Sequence, residues 1–133
     1  MFSSRGRTTP RKLVFLALQI VFALLAPGCP LFADEELRNP FVGDAQAALE
    51  GHELFRKAGC FPCHGPEAEG GTGPDLTDDV WRFKPTDDML FRTITKGRTG
   101  TRMASFRDKL SDEEVWKIIE FLRDKNRTRN SSQ

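Results

Sequence analysis

The sequence predicts an all-α domain, small and organised around one short motif. Three observations carry that prediction. Residues 44–58 and 111–125 each show one apolar stripe at helical spacing behind a capping residue. A shorter stretch of the same kind lies between them, and no connecting segment reads as a convincing strand. The motif Cys60-Phe61-Pro62-Cys63-His64 follows directly on the first helix.

Asp44 can cap the first helix. Ala47, Gly51, Leu54, Phe55 and Ala58 then fall at i, i+4, i+7, i+8 and i+11. Gly59 closes the helix just before the motif. Gly51 inside a helix costs about 1 kcal/mol against alanine, which invites close approach of another helix as the reason. His52 sits beside it, off the stripe, and reads as a solvated histidine rather than a ligand.

Two cysteines separated by two residues, with histidine next, is the attachment signature of c-type haem. Each thiol adds to a vinyl group on one porphyrin edge, and the short connection brings the following imidazole to the iron. Other uses of the same cysteines fit less well. Structural zinc needs four ligands, and only Cys29, His52 and His64 accompany the pair, with no second pair among them. A thioredoxin-like dithiol needs a strand before the motif, where a helix is predicted. A plain disulfide leaves the histidine and the later methionine without a role.

Gly65 to Leu76 is rich in glycine and proline and reads as loop. A metal-bound imidazole normally gives its other N–H to an acceptor, and the Pro74 carbonyl is the candidate. Leu76 would then cover the haem face; an ordinary turn is the plainer alternative. Trp81 and Phe83 are expected to be buried against the haem or the core. Pro85-Thr86-Asp87-Asp88 starts a short helix that Gly97 ends. Leu90 and Ile94 share its face, and Met89 is read as core. A polar loop containing Arg98 and Arg102 leads to Met103-Ala104-Ser105-Phe106. Those two arginines are candidates for pairing with a haem propionate. Ser111-Asp112-Glu113-Glu114 is a capping box. The helix behind it runs to about Lys125, with Val115, Ile118, Ile119 and Leu122 on one face and Trp116 and Phe121 widening it.

The first 33 residues read as an export signal. Arg5, Arg7, Arg11 and Lys12 precede an uncharged, mostly apolar run of 14 residues, Leu13 to Ala26, with small residues beyond. The run falls short of the roughly 20 residues a bilayer span needs. Cleavage after Ala33 is expected. The rival is a lipid anchor on Cys29, the one way this chain would meet a membrane. The expected organisation is therefore signal 1–33, linker 34–43, domain 44–126 and flexible tail 127–133. The chain has 20 basic and 19 acidic residues, and four of the bases lie in the signal, leaving 16 against 19, a net −3. A mildly acidic chain does not advertise nucleic-acid binding. Export to the periplasm also suits thiols that are matured outside a reducing compartment.

With these pieces in order, the chain resembles the class I monohaem cytochromes c. The likeness spans about Asp44 to Lys125. It rests on Gly51-x-x-x-Phe55, Cys60-x-x-Cys63-His64, Gly73-Pro74-x-Leu76, Met103-x-x-Phe106 and the last helix. It implies the cytochrome c fold, a small helical domain wrapped around one covalent haem. The first and last helices would cross near a right angle, with Gly51 admitting an aromatic of the last helix, matched here by Phe121. The distal ligand would be Met103, and Met89 is its competitor. Ala104 stands where the family commonly has proline. The implied role is one-electron transfer, with His64 and Met103 closing both axial positions and no enzyme activity. A haem enzyme or gas sensor with an open sixth position is the alternative. A narrower likeness, to cytochromes serving pyrroloquinoline-quinone alcohol dehydrogenases, rests on Asn39-Pro40-Phe41, Asp79-Val80-Trp81-Arg82-Phe83 and Gly97-Arg98. It implies such a dehydrogenase as donor and an oxidase or another cytochrome as acceptor.

Overall fold

A computed structural model describes residues 36–79 and 85–132. The signal region with Cys29, and Trp81 with Phe83, lie outside the described residues. The described residues hold four helices and no strand: α1 (Ala45–Lys57), α2 (Phe61–His64), α3 (Asp87–Lys96) and α4 (Asp112–Ser131).

The caps read from sequence are in place. The Asp44 carboxylate accepts from the N–H groups of Gln46 (2.9 Å) and Ala47 (3.0 Å), satisfying donors that α1 cannot pair itself. Thr86 caps α3 by accepting from Met89 N–H at 3.2 Å. Ser111 and Glu114 form the reciprocal box at the head of α4, with Ser111 N–H donating to Glu114 Oε2 at 2.8 Å and Glu114 N–H to Ser111 Oγ at 3.3 Å.

The fold is centred on α4, which takes α1 against one flank and α3 against another. Gly51 is the crossing point with α1. A methyl group there would run into the Lys117 carbonyl and come within 3.0 Å of the Ile118 nitrogen. Close approach therefore does explain this glycine, but the partner is backbone, not the Phe121 ring. Phe121 lies one helical turn further on and packs against Phe55, ring centres 5.5 Å apart. On the other flank Phe91 of α3 stacks on Trp116 at 4.3 Å. Phe55, Val115, Ile118 and Ile119 are almost wholly buried. Truncating such a side chain costs about 2–5 kcal/mol.

Four expectations are corrected. α4 does not stop at Lys125 but continues to Ser131. The apolar stripe ends at Leu122, so periodicity is blind to the last two turns; polar contacts hold them. Arg127 reaches back to Glu120 at 2.7 Å, and Arg129 reaches out to Asp75 at 2.9 Å. Met89 is exposed, not core, because Leu90, Phe91 and Ile94 already supply the buried face of α3. His52 is only partly solvated: its ring stacks on Phe121 at 4.6 Å and its Nε2 lies 3.0 Å from the Pro66 carbonyl. The segment 36–43, read as an extended linker, turns at Pro40–Gly43 and is tied to α4. Asn39 is buried and donates to the Trp116 carbonyl at 3.3 Å, and Gly43 N–H donates to the buried Glu120 carboxylate at 2.9 Å.

Candidate haem site

The site begins where α1 ends. Gly59, at φ +84°, reverses the chain in a conformation that favours glycine. Cys60 N–H then bonds the Phe55 carbonyl at 3.1 Å. The Cys60 carbonyl accepts from Cys63 (3.2 Å) and His64 (3.1 Å), so the motif is one turn of helix. Residues three apart on a helix are neighbours on one face. Cys60 and Cys63 thus stand side by side, and neither forms a disulfide. Burial pushes the Cys60 thiol up to about 11, with Cys63 adding to the shift. At neutral pH it is a thiol. Among the described residues no group of three His, Cys, Asp or Glu side chains is placed to hold a metal ion.

His64 is oriented by the loop that follows it. Its Nδ1 lies 2.9 Å from the Pro74 carbonyl oxygen. A carbonyl only accepts, so Nδ1 carries the proton and the neutral ring keeps its lone pair on Nε2. The loop is pinned to the motif at several points. Gly73 N–H donates to the Cys63 carbonyl at 2.7 Å and Gly70 N–H to that of His64 at 2.7 Å. A Cβ on Gly73 would come 3.0 Å from His64 Cε1, so a side chain here would press on the ring. Leu76 N–H donates to the carbonyl of the fully buried Ala68 at 2.8 Å. His52 and Glu67 brace the same loop: His52 Nε2 is 3.3 Å from Glu67, which also pairs with Lys125.

Met103 enters from a separate loop. Its carbonyl accepts from Arg98 N–H at 2.9 Å, and its N–H donates to Thr101 Oγ1 at 3.2 Å. Ser105 Oγ donates to the Thr95 carbonyl at 2.6 Å and Phe106 N–H to that of Ile94 at 3.0 Å, returning the loop to α3. Met103, Leu76 and Cys60 are all half-buried and pack against the one buried cluster. Arg98 and Arg102 are exposed. A separate cavity of about 350 Å³ is lined by Glu36, Leu37, Arg38, Asn39, Val42 and Asp87, and it shares no residue with the motif.

The donor set suits a covalent haem: paired thiols on one helical face, an imidazole with its Nδ1 engaged by Pro74, and a thioether on a second loop packed against the same core. Sequence reasoning missed His52, Asp75, Asn126 and Arg129, which brace the histidine loop. No spacing rule links residues so far apart in the chain.

Fold and site together define a class I c-type cytochrome, for which a covalently attached haem is the expected cofactor. Residues 46–122 match the family model described as cytochrome C oxidase, cbb3-type, subunit III, and the chain belongs to that family. Cytochrome c55X of Pseudomonas aeruginosa is 32% identical over 109 residues, covering 82% of both chains. Cytochrome c-L of Methylorubrum extorquens is 34% identical over 87 residues, and the match covers 64% of this chain and 43% of that relative. The crystal structure of cytochrome CL from Methylophaga aminisulfidivorans superposes with a TM-score of 0.59 at 27% identity, over 95% of this chain and 77% of the other. Among the described residues no helix is long and apolar enough to cross a membrane.

Proposed function

We propose that this chain is an exported one-electron carrier whose haem would be anchored through Cys60 and Cys63 and whose iron would be held by His64 and Met103. The observation that carries the reading is the His64 Nδ1–H bond to Pro74, which leaves Nε2 as the ligand nitrogen. The haem supplies the redox couple, between ferric and ferrous iron. The chain supplies everything else. Its thioether favours the softer ferrous state and so raises the potential. Pro74 holds the imidazole in one tautomer and one plane, Leu76 covers the face beside it, and the helical core excludes water. With His64 and Met103 both committed to the iron, no place would be left for substrate, and the chain would carry charge without transforming anything else.

The site of action is the periplasm, with lipid anchoring at Cys29 as the variant form. The resemblance carried by Asn39-Pro40-Phe41, Asp79-Val80-Trp81-Arg82-Phe83 and Gly97-Arg98 supports an alcohol dehydrogenase of the pyrroloquinoline-quinone type as donor. The family match supports an oxidase or another cytochrome as acceptor. The test is direct. Protein matured with haem and then denatured should retain the haem, and the native ferrous protein should bind carbon monoxide slowly, because Met103 must leave first. Haem lost on denaturation, or immediate carbon monoxide binding, would contradict the reading.

A further inference from the structure

The last two turns of α4 extend past the apolar stripe, and three of their side chains, Asn126, Arg129 and Asn130, reach the chain segment immediately after Pro74. Arg129 Nη1 donates to Asp75 Oδ2 at 2.9 Å and to Thr77 Oγ1 at 2.9 Å. The other Asp75 oxygen accepts from Thr77 N–H and Thr77 Oγ1, both at 2.7 Å. Asn126 donates to the Thr77 carbonyl at 3.1 Å and to Asp79 at 3.1 Å, and Asn130 reaches the other Asp79 oxygen at 3.2 Å. Thr77 is buried by this arrangement. Leu76 N–H on the Ala68 carbonyl adds to this hold, and on the other side of Pro74 the chain is fixed by Gly73 N–H on the Cys63 carbonyl. The Pro74 carbonyl, one peptide away, is therefore presented to His64 from a base held at both ends.

We propose that Arg129 and Asp75 are positioning residues: the end of α4 sets the strength of the His64–Pro74 hydrogen bond and, through it, the reduction potential. This rests on His64 being the haem ligand. A firmly held acceptor draws the Nδ1 proton and makes the imidazole a stronger donor, which favours ferric iron. Loosening the acceptor weakens that donation, so the ferrous state gains and the potential rises. The pair is half-exposed on the arginine side, so losing it leaves the fold intact.

The experiment compares haem-loaded full-length protein with Arg129→Gln, Asp75→Asn, Arg129→Lys and Arg127→Gln. Arg127→Gln removes a contact to Glu120 from the same helix end without touching the loop. Three quantities are read: midpoint potential, exchange of the His64 Nδ1 proton by NMR, and melting temperature. Arg129→Gln and Asp75→Asn should both raise the potential and speed that proton's exchange several-fold. Arg129→Lys should restore most of both, and Arg127→Gln should lower the melting temperature with the potential unmoved. Unchanged potentials in Arg129→Gln and Asp75→Asn, or an equal shift in Arg127→Gln, would overturn the proposal. Parent protein without a histidine–methionine haem spectrum would instead sink the functional reading on which it rests.

Discussion

The two loops that would face each other across the haem are held in different ways. The histidine loop, residues 65–77, is anchored by partners far away in sequence: His52 before it, and Lys125, Asn126 and Arg129 after it. The methionine loop, residues 97–106, is tied by its own neighbours, with bonds among Arg98, Thr101 and Met103 and two returns to the end of α3. Long-range anchors open only when the fold around them opens, whereas local ones open with the loop. The histidine side would thus be the fixed half of the proposed site and the methionine side the adjustable half. Ala104, where the family commonly has proline, leaves the adjustable half a freer backbone.

The largest effect should come from removing what both loops close upon. The double substitution Cys60→Ala, Cys63→Ala should abolish covalent haem and leave a chain without a cooperative melt, because so small a domain depends on the staple. Circular dichroism checks this, and a native-like melt would show that the loops need no haem to settle.

Paired glycine substitutions separate the halves. Gly97 sits at φ +72°, with a Cβ position 2.7 Å from the Met103 carbonyl oxygen. Gly97→Ala should cost about 2 kcal/mol in backbone strain alone and disturb the methionine side. Gly73→Ala should cost about 1–3 kcal/mol by overpacking against the His64 ring and disturb the histidine side. Denaturant melts give the energies. The methionine charge-transfer band should weaken in the first variant, and the His64 Nδ1 resonance should move in the second. The same response in both would mean that the halves are not independent.

Amide exchange offers a smaller, sharper reading. The N–H groups of Gly73 and Leu76, bonded to Cys63 and Ala68, should exchange at least about tenfold more slowly than that of Met103, bonded to a threonine hydroxyl. Equal protection would erase the contrast.

The smallest effect is acid sensitivity on the histidine side. The Lys125 hydrogen bond holds the Glu67 carboxyl below its ordinary 4.5, against a weaker opposing pull from burial. A depressed folded value contributes stability that is present above the ordinary carboxylate range and is lost as pH falls through the depressed value. Lys125→Met should flatten that limb of a stability–pH curve by slightly lowering its neutral end and leaving its acid end nearly unchanged.

Legibility in the sequence followed the same division. Helix starts at Asp44, Thr86 and Ser111 were readable because caps act within three residues. The buried faces of α1, α3 and α4 were readable from period, and the His64–Pro74 contact from one short glycine–proline segment. The reach of α4 to Ser131 was not readable. It depends on pairings such as Arg129–Asp75 that carry no periodic trace. His52 was misread for a related reason: a histidine off the stripe reads as solvated until Phe121 and Pro66 are brought to it by the crossing at Gly51. Met89 was misread because a helix so short buries only one narrow face.

The central claim is that the chain closes the haem from both sides, with Met103 as the adjustable ligand. Met103→Leu in the haem-loaded protein tests it most directly. The charge-transfer band of methionine ligation should vanish, ferrous carbon monoxide binding should become fast, and the potential should fall as the thioether is lost. An unchanged spectrum and an unchanged potential would contradict the account.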